Sequence, residues 1–284
     1  LLQHPDVRTL LELALREDVG PGDITTATIV PRSARAEAVV VAREAGVLAG
    51  LDLFAGVFQL LDSGVEVRPR LDDGQQFGAG AVLAEVEGSA RAILTAERTA
   101  LNFLWHLCGM ATITALYVAA VEPSAVRVVD TRKTVPGWRV LSKYAVRVGG
   151  GQNHRFGLYD GVLIKDNHIA VAGSVRRAVE AARRGAPHTL RVQVEADTLQ
   201  QVEEALQAGA DAVLLDNMPP DVMRLAVEKA RGRALTEASG GIRLEQMRAV
   251  AETGVDIIST SAITIAARPI DIALDITTAT GASG

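Results

Sequence analysis

Residues 130–168 read DTRKTVPGWRVLSKYAVRVGGGQNHRFGLYDGVLIKDNH. Seven basic residues (Arg132, Lys133, Arg139, Lys143, Arg147, Arg155, Lys165) face three acidic ones (Asp130, Asp160, Asp166) in a chain whose formal net charge is −5. A positive island in an acidic protein points to an anionic ligand. Arg132 and Lys133 follow the β-branched run at 126–131, and Lys165 follows the apolar run at 161–164. Between them, Gly149, Gly150 and Gly151 precede Asn153, His154 and Arg155. Consecutive glycines turn tightly and let backbone N–H groups approach a ligand. Arginine grips a planar carboxylate or a phosphate with two parallel hydrogen bonds. Solvated surface is the ordinary reading of a lone Arg-Lys pair; these cations instead stand beside apolar strand ends.

Further along, Glu195 and Asp216 each close an apolar run. Two carboxylates beside a polyphosphate suit ribose hydroxyls and Mg²⁺, a hard cation that prefers oxygen. Ser239, Gly240 and Gly241, then Thr260, Ser261 and Ala262, follow two later runs. Such loops after late barrel strands cradle phosphate on backbone N–H groups. Asp197 is read as the cap of the helix after Glu195. His168 is read as structural, and no His/Cys spacing resembles a zinc site.

The elements that must position these groups repeat. After Pro123, apolar strands at 127–131, 161–164, 189–194, 210–215, 233–236 and 255–258 end in polar residues. Helices at 174–184, 197–208, 219–231 and 243–253 stop at Gly185, Gly209, Gly232 and Gly254. Right-handed βα crossovers bring all strand C-termini to one end, where barrel enzymes do chemistry. Six strands leave either an incomplete barrel or an open sheet. Before them, a helix is expected at 7–18 and an extended stretch from Ile24. Short strands and a helix at 51–61 fill 36–90, a small α+β sandwich. Thr95 is read as the N-cap of a helix carrying Arg98 in its first turn, where a cation opposes the dipole. Asp72, Asp73 and Glu85 are read as solvated.

Composition narrows the classes. Hydrophobic residues are 48% and charged residues 22%, as in a soluble globular enzyme. Aromatics are 4%, which with the acidic balance argues against nucleic acid. No apolar run of about 20 residues suggests a membrane span. No secretory pattern is read at the start, and the opening Leu implies a trimmed or renumbered chain. The single cysteine, Cys108, lies in an apolar helical pattern and is read as an inert core thiol. A cytoplasmic location is expected.

DTRKT, KYAVRVGGGQNHR and IKDNHI, with GPGDITT near the start and EASGG near the end, resemble the signatures of the quinolinate phosphoribosyltransferase family across nearly the whole chain. The resemblance implies α/β architecture: an incomplete (β/α) barrel with parallel strands plus a smaller N-terminal α+β sandwich domain. The implied domains are 1–110 (sandwich), 111–268 (catalytic barrel) and a tail at 269–284 packing on the first. It implies that quinolinate and phosphoribosyl pyrophosphate become nicotinate mononucleotide, pyrophosphate and CO₂, with Mg²⁺ as cofactor. Lys133, Lys165, Glu195 and Asp216 match the catalytic positions. The quinolinate grip matches Arg132, His154, Arg155, Lys165 and Arg98, the last supplied by the neighbouring subunit of a homodimer or larger homo-oligomer. Thr131 matches a substrate-binding position, Lys133 and Lys165 also suit phosphate, the loops Ser239–Gly241 and Thr260–Ala262 match the phosphate loops, and Glu195 and Asp216 match the acids associated with ribose and Mg²⁺. Two positions depart from the family pattern: Gln193 where Glu is usual, and Ser261 where Gly is common.

Three alternatives stand beside this reading. One is a nicotinate phosphoribosyltransferase of related fold, which needs fewer cations. Another is a Schiff-base barrel lyase using Lys165. The third is an anion-binding protein without turnover.

Overall fold

The computed structural model describes residues 1–280 and divides into two compact units. One comprises Leu1–Ile113, Val135–Gly150 and the segment from Ala267; the other comprises Thr114–Thr134 and Gly151–Ala266. The sequence places 135–150 in the barrel, whereas here it groups with the N-terminal unit. Residues 281–284 of the expected tail lie outside the described residues.

In the first unit a four-stranded antiparallel sheet runs in the order Ile272–Thr280, Arg35–Ala42, Val82–Ser89, Glu66–Pro69. Alternate residues of Arg35–Ala42 are buried, the period-2 signature of a strand with one covered face. The tail therefore joins the chain start through a ladder of hydrogen bonds. Leu51–Leu61 and Pro5–Val19 pack together, and Leu11, Leu53, Phe54 and Phe58 are fully buried.

Three local expectations are corrected. Residues Ile24–Ile29 form a helix instead of an extended stretch, because the Asp23 side chain accepts the Thr26 N–H at 2.9 Å and caps it. Thr95 is no N-cap: one helix runs unbroken through Ala90–Ala119, and the Thr95 hydroxyl donates to Asp23 instead. Arg98 thus lies two turns inside, free of the end-of-helix penalty. Asp73 is not merely solvated. It accepts from the N–H groups of Gly50 and Leu51 at the start of Leu51–Leu61, and from the Tyr144 hydroxyl at 2.5 Å.

The helix Ala90–Ala119 is long and apolar enough to cross a membrane by length and composition alone. More than half of its most apolar window is buried within the protein, as in a core helix.

The second unit holds six parallel strands: Arg127–Val129, Val162–Ile164, Val192–Ala196, Ala212–Asp216, Leu235–Ser239 and Ile257–Ser259. In space the order is first, sixth, fifth, fourth, third, second. Among the described residues no ladder joins the first strand to the second, so the barrel is incomplete. A segment bridges part of that gap: Gln152 pairs with Val129 in parallel. Between strands, Val175–Gly185 is capped by Ser174, and Leu199–Gln207 by a reciprocal Thr198–Gln201 box. Thr198, and not Asp197, is therefore the cap after Glu195. Gly209, Gly232 and Gly254 adopt positive φ where helices end.

Candidate active site

Strand alternation explains what points inward. On adjacent parallel strands, Gln193 and Glu195, then Leu214 and Asp216, then Glu237 and Ser239, lie two residues apart and share one face. The strand ends open into a cavity of about 850 Å³. It is lined by Thr131, Arg132, Lys133, His154, Arg155, Lys165, Glu195 and Asp216, and by both loops, Ser239–Gly240–Gly241 and Thr260–Ser261–Ala262. Every site residue expected in this unit thus meets in one hollow. Arg98 belongs to the other unit and is not among the lining residues; its guanidinium lies 4.9 Å above the Trp105 ring.

The cations are crowded. Burial pushes the Arg155 guanidinium below its usual range, and the nearby positive charge of Arg132 adds to the effect against the pull of Asp160. Arg155 Nη1 donates to the Gly161 carbonyl at 3.0 Å, which aims the side chain. Lys165 forms an ion pair with Glu195 on the neighbouring strand. Asn217 Nδ2 holds Asp216 at 3.0 Å.

The loop that delivers His154 and Arg155 is anchored by Asp130, which is fully buried. Asp130 accepts from Asn153 Nδ2 at 2.6 Å and from the His154 N–H at 2.9 Å. At the cavity floor Glu237 is 2% exposed. Gln193 Nε2 donates to Glu237 Oε2 at 2.8 Å, and His154 Nε2 stands 3.4 Å from the same oxygen. Burial alone would push the Glu237 carboxyl up. His154, Ser259 and Gln193 outweigh it, and the net shift is downward. Although Ser259 helps steady that charge, neither Ser259 Oγ nor Glu237 Oε1 has a partner in hydrogen-bonding geometry.

The phosphate-type loops are built for close approach. Gly240 and Gly241 have φ of 96° and 60°. A Cβ on Gly240 would lie 2.4 Å from Asn217 Oδ1 and 2.8 Å from the Asn217 backbone nitrogen. In the other loop, Thr260 Oγ1 accepts the Ala262 N–H at 3.2 Å, and Thr264 Oγ1 donates to the Lys133 carbonyl at 2.8 Å. His168 has a structural place: its Nδ1 accepts the Lys165 N–H at 2.9 Å.

Sequence reasoning did not name Asn217, Glu237, Arg243 or Ser259 as site residues, yet all four line the cavity. Glu237 was findable, since it lies two residues before Ser239 on the same strand face. Asn217 shows itself only through its positive φ of 53° against Gly240.

Two family models match the chain: the quinolinate phosphoribosyl transferase N-terminal domain over residues 23–108 and its C-terminal domain over residues 110–275. The chain is 44% identical over 275 residues to the nicotinate-nucleotide pyrophosphorylase (carboxylating) of Mycobacterium leprae, covering 95% of this chain and 96% of that one. It is 38% identical over 296 residues to the chloroplastic enzyme of the same name from Arabidopsis thaliana, covering 97% and 84%. The solved nicotinate-nucleotide pyrophosphorylase of Francisella tularensis superposes with a TM-score of 0.93 at 40% identity, covering 97% and 98%.

Proposed function

This chain belongs to the quinolinate phosphoribosyltransferase family, and on that premise we propose that its strand-end cavity joins quinolinate to phosphoribosyl pyrophosphate. The products are nicotinate mononucleotide, pyrophosphate and CO₂, a step toward NAD. One observation carries the assignment of the site: Arg132, Lys133, Arg155 and Lys165 converge on a single hollow of an otherwise acidic chain. Two adjacent carboxylates on an aromatic ring are the kind of anion that relieves the Arg132–Arg155 repulsion.

In this reading Arg132, Arg155 and Lys165 hold the dicarboxylate and set the ring nitrogen toward the ribose. Holding the reactants in line converts an encounter into a local step. The nitrogen attacks the anomeric carbon, and the bonding pair leaves with pyrophosphate. Lys133 and the two loops absorb the charge that accumulates on the departing oxygens. Glu195 and Asp216 face the ribose and its developing positive charge. The alkylated ring then carries positive charge beside its 2-carboxylate. That C–C bond breaks, CO₂ departs, and the electron pair left on the ring takes a proton.

Among the described residues there is no group of three or more His, Cys, Asp or Glu side chains able to hold a metal by themselves. Glu195 and Asp216 fit a cation that arrives on substrate phosphates, as Mg²⁺ does. They would hold it there, and bound Mg²⁺ would offset charge on the pyrophosphate.

Arg98 is assigned to a neighbouring copy's cavity, which requires a homodimer or larger homo-oligomer. A cytoplasmic location completes the reading; the acidic composition and the single buried Cys108 support it. Release of labelled CO₂ from 2-carboxyl-labelled quinolinate tests the function. Release that depends on phosphoribosyl pyrophosphate is expected, with no mononucleotide formed from nicotinate. Nucleotide formation from nicotinate without CO₂ would replace this reading with the monocarboxylate one.

A further inference from the structure

His154 differs from the other residues that line the cavity, because both of its ring nitrogens already face protein groups. The Arg155 backbone N–H donates to His154 Nδ1 at 2.7 Å. A nitrogen that accepts a hydrogen bond carries no proton, so Nδ1 is the bare nitrogen of the ring. The opposite nitrogen, Nε2, points at Glu237 Oε2 from 3.4 Å, at the outer edge of hydrogen bonding. That carboxylate oxygen can only accept. Its second approach is filled by Gln193 Nε2 at 2.8 Å, and the amide end of Gln193 is itself buried.

From this geometry we propose that Glu237, backed by Gln193, is a positioning residue that fixes the His154 ring with Nε2 as its proton-bearing nitrogen and Nδ1 bare. His154 then meets the substrate with its ring, both nitrogens being turned to protein groups. The grip on the two carboxylates is left to the guanidinium and ammonium groups. Gln193 is matched to this arrangement. An amide donates to the buried carboxylate, whereas a carboxylate at 193 would face Glu237 oxygen to oxygen and need a shared proton.

The charged and polar groups around this chain of contacts come from every element packed on it. Arg155 adjoins His154 on its own loop, and Arg132 sits near Arg155 from the end of the first strand. Asp130 holds the loop backbone. Ser259 approaches Glu237 from the sixth strand. Behind Glu237 and His154, a second cavity of about 330 Å³ also includes Arg127, Asp160 and Arg191 in its wall.

The proposal deepens the quinolinate reading but does not need it for its first test. Imidazole ¹⁵N resonances of the unliganded full chain, with His154 assigned by loss in a His154→Asn variant, report the tautomer near neutral pH. A pyrrole-type Nε2 and a pyridine-type Nδ1 are expected. An imidazolium, or a proton on Nδ1, overturns the proposal whatever the enzyme's substrate. Glu237→Gln should mix the two tautomers and raise the KM for quinolinate about tenfold, while kcat and the KM for phosphoribosyl pyrophosphate change little. Gln193→Leu should shift the same resonances the same way by less, with its fold checked by thermal melting. Unchanged ¹⁵N shifts in a folded Glu237→Gln protein would also overturn it. If turnover of quinolinate is absent while the wild-type tautomer is as expected, the function fails and the positioning stands.

Discussion

The Arg155 guanidinium shares a partly buried cavity with that of Arg132, and the opposition of their like charges is offset in part by Asp160. A bound anion would relieve what remains of that opposition. Arg132→Ala should therefore leave the melting temperature within a few degrees of wild type. The same change should lower kcat/KM for quinolinate by about 10²–10³-fold, as losing a charged hydrogen-bonding partner does. Calorimetry together with steady-state kinetics decides it. A collapse of stability would mean that Arg132 is chiefly a structural group.

Lys165 is ion-paired with Glu195, which suits anion holding better than nucleophilic attack. Lys165→Ala should abolish turnover without unfolding the chain. Borohydride should trap no substrate on the wild-type protein; a trapped adduct at Lys165 would favour the Schiff-base lyase.

Arg98 is exposed, lies against Trp105 and is not among the residues that line the cavity. If a neighbouring copy supplies it, Arg98→Ala and Lys165→Ala proteins should each be inactive and should regain measurable activity when mixed. No recovery after subunit exchange has been verified by mass would count against a shared site.

Gly240 approaches Asn217 so closely that a methyl group would collide with its backbone, at a φ that side chains rarely adopt. Gly240→Ala should raise the KM for phosphoribosyl pyrophosphate by about tenfold or more, the backbone strain alone being on the order of 1–3 kcal/mol. Gly232→Ala is the control. It has positive φ but nothing within 4 Å, so it should cost stability without touching KM.

Acid should weaken one tie on the first unit. The Arg268 side chain, with the Asp271 N–H, lowers the Glu44 carboxyl from 4.5 to about 2. A depressed carboxyl contributes stability that is complete above its unfolded value and is lost as pH falls toward the folded one. The loss should therefore fall between pH 4.5 and about 2. Because Arg268 is largely exposed and Glu44 only half-buried, screening keeps the effect small. Glu44→Gln should flatten that part of the pH–melting curve and leave the neutral region unchanged.

The sequence made the βα rhythm legible because parallel strands buried on both faces must be apolar, and because glycine is suited to the left-handed turn found at Gly209, Gly232 and Gly254; at Gly185 the chain leaves its helix extended instead. It made the cations legible because Arg132, Lys133 and Lys165 directly follow such runs. It did not reveal Arg139–Val148 as a separate helix grouped with the N-terminal unit. Nothing local distinguishes a helix that leaves its domain from one that stays. The cap at Asp23 was missed because its helix is only six residues long, too short for periodicity to show. Cys108 was read correctly as inert: burial pushes its thiol up to about 12.

Among the described residues the sheet is open between its first and second strands; Lys165 directly follows the second, and Arg132 lies three residues past the end of the first. Along that seam the Gln152 backbone accepts from the Asp130 N–H and donates to the Val128 carbonyl, the Asp130 side chain holds Asn153 and His154, and Arg155 reaches the Gly161 carbonyl. Neighbouring strands elsewhere in this sheet are joined by ladders, whereas this boundary is tied by loop and side-chain bonds. The spacing between the loops that carry Arg132 and Lys165 is therefore set by those loop bonds and not by strand register, so a change at Asp130 or Gln152 would be felt at the cavity mouth before it reached the paired strands.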